Sequence, residues 1–299
     1  MQHVAVRRKQ ARFTRLKARY DEQFDAGHLT AAEVVLRQLL AMSPDWAAGW
    51  FDLGLIAKLR RDWPACRAAN ERALALGDDK PGDPAAWNLG VAATALGDWD
   101  AAARAWSAYG VEPGPAGEPM GQVPVRLNPS PRRLGQRPVL VDGQEHDAEV
   151  VWGDRLSPAH AAVAVVPLPG SGHRYGDVVL HDGEPAGSRQ VDGHSVPVFD
   201  ELERLASGPY PTVTVTVSAP AATDATALLE SLAAAALPAE DWTASVRRVC
   251  RACDEGSHDH PAETGWQPER TFGIAGDRVH AATVLDGWAA DGLGRSWER

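Results

Sequence analysis

The chain has 299 residues and a mass of 32.0 kDa, of which 44% are apolar and 23% charged; this suits two domains of roughly 100–200 residues and excludes global disorder. Its net charge of −10 argues against a surface built to coat nucleic acid, and no apolar run approaches the ~18 residues of a bilayer span. Three unevenly spaced cysteines, Cys66, Cys250 and Cys253, and an N-terminus with charge where a secretory signal is apolar point to a reducing, cytoplasmic setting.

Residues 1–20 carry Arg7, Arg8, Lys9, Arg12, Arg15, Lys17 and Arg19 before the first acid, Asp21. Phe13, Leu16, Tyr20 and Phe24, spaced 3, 4 and 4, form an apolar stripe with the bases largely off it, the pattern of an amphipathic helix with a solvated basic face. Phosphate contacts by that face are the alternative. Elsewhere arginine far outnumbers the four lysines, and alanine is abundant, a GC-rich, bacterial-like composition.

A period follows. Three turn elements, Gly27-His28-Leu29, Arg61-Asp62-Trp63 and Gly97-Asp98-Trp99, stand 34 and 36 residues apart, with small residues Ala32, Cys66 and Ala102 at the same offset. Upstream of the later two lie Trp50-Phe51-Asp52-Leu53-Gly54 and Trp87-Asn88-Leu89-Gly90. The spacing predicts three antiparallel helix pairs in which Gly54 meets Cys66 and Gly90 meets Ala102 at close crossings. This pattern resembles the tetratricopeptide repeat (TPR) family over about residues 10–110. Three departures are visible: the first unit lacks the Trp and Leu-Gly, the third sets its Trp one residue closer to Leu-Gly, and residues 78–83 add two positions. The resemblance implies peptide or protein binding in a concave groove lined by the first helix of each pair. Carried over by position, that groove is Lys17, Asp21, Phe24, Phe51, Leu55, Lys58, Trp87, Val91 and Thr94. The alternative is that the chain's own C-terminal part covers them.

Seven prolines and five glycines between Gly110 and Pro138 end the helical pattern. Residues 1–110 are therefore expected to be the helical repeat domain, 111–138 a linker containing an edge strand over 122–127, and 139–299 a β-rich α+β domain. In the last part, strands are expected at 139–141, 149–152, 162–166 and 177–180, with hairpin turns at Asp142-Gly143, Asp182-Gly183 and Asp192-Gly193. The segment Thr212–Val217 alternates threonine and valine, a strand with valine inward. A helix over 223–237 capped by Thr223 or Asp224, a strand over 241–249 and a helix over 277–290 complete the pattern.

Two segments carry candidate chemistry. Cys250 and Cys253 with His258 and His260 offer an S2N2 donor set that suits one structural zinc ion, since closed four-ligand sites leave no open position for catalysis; a plain acidic loop and a redox pair are the other readings. The segment Pro169–Asp177 has the spacing GxGxxxG, with Tyr175 where a dinucleotide fingerprint needs glycine, which speaks against nucleotide binding. His173, Asp177 and His181 are the weak catalytic candidates, as acid or base beside Arg174 and Asp182, against the reading of a polar hairpin loop. With no complete catalytic motif, the sequence points to a cytoplasmic adaptor that binds a protein or peptide through the helical groove. The rival is an enzyme, possibly metal-dependent, in the C-terminal domain with the repeats recruiting substrate.

Overall fold

The computed structural model describes residues 2–78, 80–112, 114, 118–131, 135–191, 193–244 and 265–298, with side chains from residue 6. The chain divides into two compact units, one of Met1–Pro113 with Ser130–Pro138 and one of Gly114–Pro129 with Val139–Arg299. The Pro/Gly-rich stretch is thus shared between them.

The first unit is a stack of three helical hairpins: α1 (Gln2–Asp25) with α2 (Leu29–Met42), α3 (Ala47–Leu59) with α4 (Trp63–Leu76), and α5 (Pro84–Ala95) with α6 (Trp99–Tyr109). The equivalent turn residues Gly27, Arg61 and Gly97 all take positive φ, at 76°, 57° and 70°. In the second and third turns the following aspartate caps the next helix, Asp62 accepting from Ala65 N and Asp98 from Ala101 N, which satisfies donors the helix cannot. The close crossings fall one turn beyond the expected partners. A Cβ on Gly54 would stand 2.3 Å from the Asn70 amide, and one on Gly90 2.6 Å from the Trp106 ring. Cys66 and Ala102 are buried beside them, and the offset of sixteen residues is the same in both repeats. The core of the first two hairpins gathers Tyr20, Leu36, Leu39, Leu53, Ile56 and Ala69.

The second unit opens with a five-stranded closed barrel, β1 (Gln122–Leu127), β2 (Glu149–Ser157), β3 (His160–Val163), β4 (Val178–Val191) and β5 (His194–Ala206). Successive strands are antiparallel, so with five of them the closing pair β1·β5 must be parallel, and it is. This corrects three expectations. β1 is no edge strand but is paired on both sides. Residues 139–141 form only a bridge, Val141 to Gln144, around the tight turn in which Asp142 and Gly143 take φ of 52° and 79°. Asp182-Gly183 is no turn: it lies inside β4, where the register with β5 shifts between Leu180 and Gly187 and the aspartate accepts from the Gly183 N–H. A bulge answers the same local Asp-Gly preference when the chain continues straight. Val125, Val151, Val163, Val179 and Phe199 fill the barrel.

The rest of the unit runs β6 (Thr212–Ser218), α7 (Ala222–Ala234), β7 (Ala239–Asp241), β8 (Glu269–Ala275), α8 (Arg278–Ala290) and β9 (Ser296–Glu298), with sheet order β7-β8-β6-β9 and antiparallel pairs throughout. Among the described residues this β-α-β-β-α-β order matches the ferredoxin-like split βαβ arrangement; of the strand expected over 241–249 only Asp241 lies in β7, and 245–249 fall outside the described residues. Val213, Val215 and Val217 point inward against Leu228, Leu232, Leu285 and Trp288 of the two helices. Helix α7 starts at Ala222, earlier than expected, because Asp224 reaches back to the Ala221 N–H. On the barrel side, Trp242 covers Gly273 and donates its indole N–H to Val166 O at 2.9 Å. The whole chain is a helical region followed by an α+β region. No helix among the described residues is long and apolar enough to cross a membrane.

Candidate functional site

Of the nine groove positions, six are half-buried and three buried. On α1, Lys17 pairs with Asp21 one turn away and its ammonium lies 5.2 Å from the Tyr20 ring centre. Tyr20 joins α1 to α3 by a hydrogen bond with Asp52. Burial pushes the Asp52 carboxyl up to about 6, against the opposing pull of the Lys17 charge, and burial together with Asp52 raises the Tyr20 hydroxyl. Phe24 tilts against Tyr20 at 5.8 Å, while Phe51 and Leu55 remain half-buried on α3. Farther along, Lys58 is buried and donates to Asn88 Oδ1 at 3.1 Å, Val91 has no exposed surface, and Thr94 donates to Gly90 O. Trp87 packs edge-on against Trp106 and Tyr109 at 4.9 and 5.1 Å. Accessible side chains at these positions are thus concentrated on α1 and α3.

The weak catalytic candidates separate into two places. His173, which follows a short 3-10 turn at Pro169–Ser171, donates from Nδ1 to Asp177 Oδ2 at 3.0 Å and sets Nε2 3.2 Å from Glu201 Oε2. None of the three side chains has exposed surface. Burial by itself lowers an imidazole's affinity for protons, but the two carboxylates outweigh it and carry His173 up to about 9. Burial opposes ionisation of Asp177 as well, yet His173 and the Gly208 and Arg174 N–H groups hold it below the ordinary carboxylate range. Asn128 N, at a φ of 47°, donates to Glu201 at 2.9 Å, and its amide donates to Ser171 O and Asp147 O. The arrangement ties the end of β1, the 169–172 turn, β5 and the approach to β6 to one charged imidazole. Glu201 and Asn128 went unseen in the sequence, although Phe199 and Glu201 two apart on a strand share one face, and an acid sharing a face with a core phenylalanine demands a cation.

His181 joins none of these contacts. Its Nδ1 faces Asp182 O at 2.9 Å, its ring lies 5.3 Å from Phe199, and burial drives it down to about 4. Burial does the same to His160, whose Nδ1 meets the Ser157 hydroxyl. Asp182 accepts from the Gly183 N–H and its charge acts on His181 against the effect of burial, while the Arg174 main chain serves Asp177. Cys250, Cys253, His258 and His260 lie outside the described residues. Among the described residues no group of three or more His, Cys, Asp or Glu side chains is arranged to hold a metal ion; Cys66 is a free, buried thiol pushed up to about 12 by burial.

No family model matches the chain, and no curated protein is similar to it. Among solved structures it is similar to a mutant form of the O-GlcNAc transferase of Thermobaculum terrenum, at 22% identity with a TM-score of 0.31, over 34% of this chain and 19% of that one. The chain therefore matches about a fifth of that protein's length.

Proposed function

We propose that the protein is an interaction adaptor whose TPR-like hairpin stack captures a peptide or protein segment on the α1/α3 face, at Lys17, Asp21, Phe24, Phe51 and Leu55. The observation that carries the reading is the combination on one stack of half-buried apolar side chains with the linked polar set Lys17, Tyr20 and Asp52. Apolar anchors beside charged groups are how such surfaces gain affinity and register. Phe51 is the cleanest probe, because among the described residues it is half-buried and stands outside the core cluster of the first hairpins. With a partner identified by capture, Phe51→Ala weakens binding by about tenfold or more while the helical signal and melting temperature stay put. Unchanged affinity in Phe51→Ala and in Lys17→Glu refutes the assignment.

The donor set Cys250, Cys253, His258 and His260 is carried forward as a proposal for one structural zinc ion, on its spacing alone. Protein purified without added metal or a histidine tag is expected to hold one zinc per chain, lost in Cys250→Ser together with thermal stability. Metal-free wild type of equal stability removes the proposal.

A further inference from the structure

Four arginines of α1, Arg8, Arg12, Arg15 and Arg19, recur at spacings of 4, 3 and 4. On a helix with 3.6 residues and 5.4 Å per turn they fall within an arc of about 60° and span about 17 Å. All four are exposed and none is ion-paired among the described residues. Like charges one turn apart repel one another, so the row is unfavourable for the helix by itself.

The row ends at a cavity of about 660 Å³ within the helical unit, and Arg19 is part of its wall. Arg60 and Arg137 line the other sides, Val34 and Val35 contribute apolar surface, and among the described residues no acidic or Phe, Tyr or Trp side chain lines it. The first turn of α2 faces the same space without a side-chain cap from His28, which adds N–H groups suited to an anion. Just outside, Glu33 pairs with both Arg37 and Arg60, one carboxylate against two guanidiniums, so positive charge remains in excess. The wall carrying Arg137 is held in place: Arg61 donates to the carbonyls of Arg137 and Pro138 at 2.7 and 2.6 Å.

We propose that this arginine row and its cavity bind an acidic peptide segment bearing an aliphatic side chain. Its carboxylates pair with Arg12, Arg15 and Arg19, and the aliphatic group enters the cavity against Val35 and Val34, which is 55% exposed. Carboxylates match the guanidinium fork. Single-stranded nucleic acid is the poorer fit, because its binders stack bases on aromatic side chains and among the described residues this lining offers only the His28 imidazole, which is engaged with Gln23. The site shares no residue with the Phe51 face, so either proposal can fail without the other.

The test is fluorescence anisotropy on the full chain at low salt with a labelled oligoglutamate peptide carrying one central leucine. The comparison probes are the same peptide with serine for leucine, an oligolysine peptide and an oligothymidylate of equal length. Expected are binding of the leucine peptide that weakens as salt rises, weaker binding of the serine peptide, and none of oligolysine. Affinity falls by about tenfold or more in Arg15→Glu/Arg19→Glu, both surface positions, and is unchanged in Phe51→Ala. Absence of leucine-peptide binding, or equal affinity in the arginine variant at unchanged melting temperature, overturns the site. Tighter binding of oligothymidylate overturns the occupant.

Discussion

Enclosing His173 between Asp177 and Glu201 with no exposed surface fixes its charge and thereby its pH behaviour. Its folded pKa of about 9 lies above the ordinary imidazole value of 6.5, so the stabilisation is complete below about 6.5 and is lost as pH rises through 9. The shift corresponds to roughly 3 kcal/mol. Replacing His173 by Gln takes the facing cation from buried Glu201 and leaves Asp177 only Arg204, 3.6 Å away, which costs about 3–5 kcal/mol. Urea unfolding at pH 7 and 9.5 checks both: wild type loses stability between them, whereas His173→Gln starts lower and loses little more. Equal stability of the two proteins at pH 7 would contradict the ion cluster. The histidine was visible in the sequence as part of a polar segment, but its neighbours were not. Asp177 lies four residues away on a turn, while Glu201 comes from a strand 28 residues on, through a barrel closure that no local pattern encodes.

Helices and turns were legible to the degree that their determinants are local. The positive φ of Gly27, Arg61 and Gly97 and the Asp62 and Asp98 caps follow from a few consecutive residues, and so does the alternation that buries Val213, Val215 and Val217. Partner choice across a crossing is not local: Gly54 and Gly90 announce that something comes close, but packing selects Asn70 and Trp106 over Cys66 and Ala102. Gly90→Ala therefore drives a methyl group into the Trp106 ring and destabilises the helical unit by about 1–3 kcal/mol. A matched control, Gly97→Ala, meets open space at φ 70° and instead carries the conformational penalty of a left-handed residue, about 1–2 kcal/mol. Far-ultraviolet dichroism against temperature distinguishes the two routes when Gly90→Ala is combined with Trp106→Leu, which relieves only the first. Strand assignment failed where the Asp-Gly signal was read alone. Asp142-Gly143 turns, whereas Asp182-Gly183 stays in a long strand as a bulge, because β5 pairs on both sides of it, at His181 and at Pro185.

For the whole molecule, titration of buried groups sets an acid limit. His160 and His181 are held near 4, below 6.5, by burial, so their contribution is present above 6.5 and lost as pH falls toward 4. Asp177, held low, adds a loss of the same sign only below its ordinary value of 3.8. Asp52 opposes them: its raised value of about 6 adds stability as pH falls from 6 toward 4. Two buried imidazoles outweigh one half-buried carboxylate, so the chain is expected to be most stable between about pH 6.5 and 8 and to lose several kcal/mol by pH 4. Denaturant midpoints across that range test this, and a midpoint rising on acidification would reverse the assignment of the buried imidazoles.

The sequence by itself determined the helical period, its turns, the change to two-residue alternation after the proline-rich stretch, and the basic face of α1. Each depends on residues within one or two turns of one another. Only the tertiary structure decided that β1 closes a barrel, that residues 130–138 belong to the helical unit and 114–129 to the other, and that Val91 and Thr94 are buried while Phe51 is not. Those outcomes depend on which apolar surfaces find one another across long stretches of chain. The burial they create keeps His181 neutral and raises Asp52, and the two carboxylates they bring to His173 keep that imidazole charged against its burial.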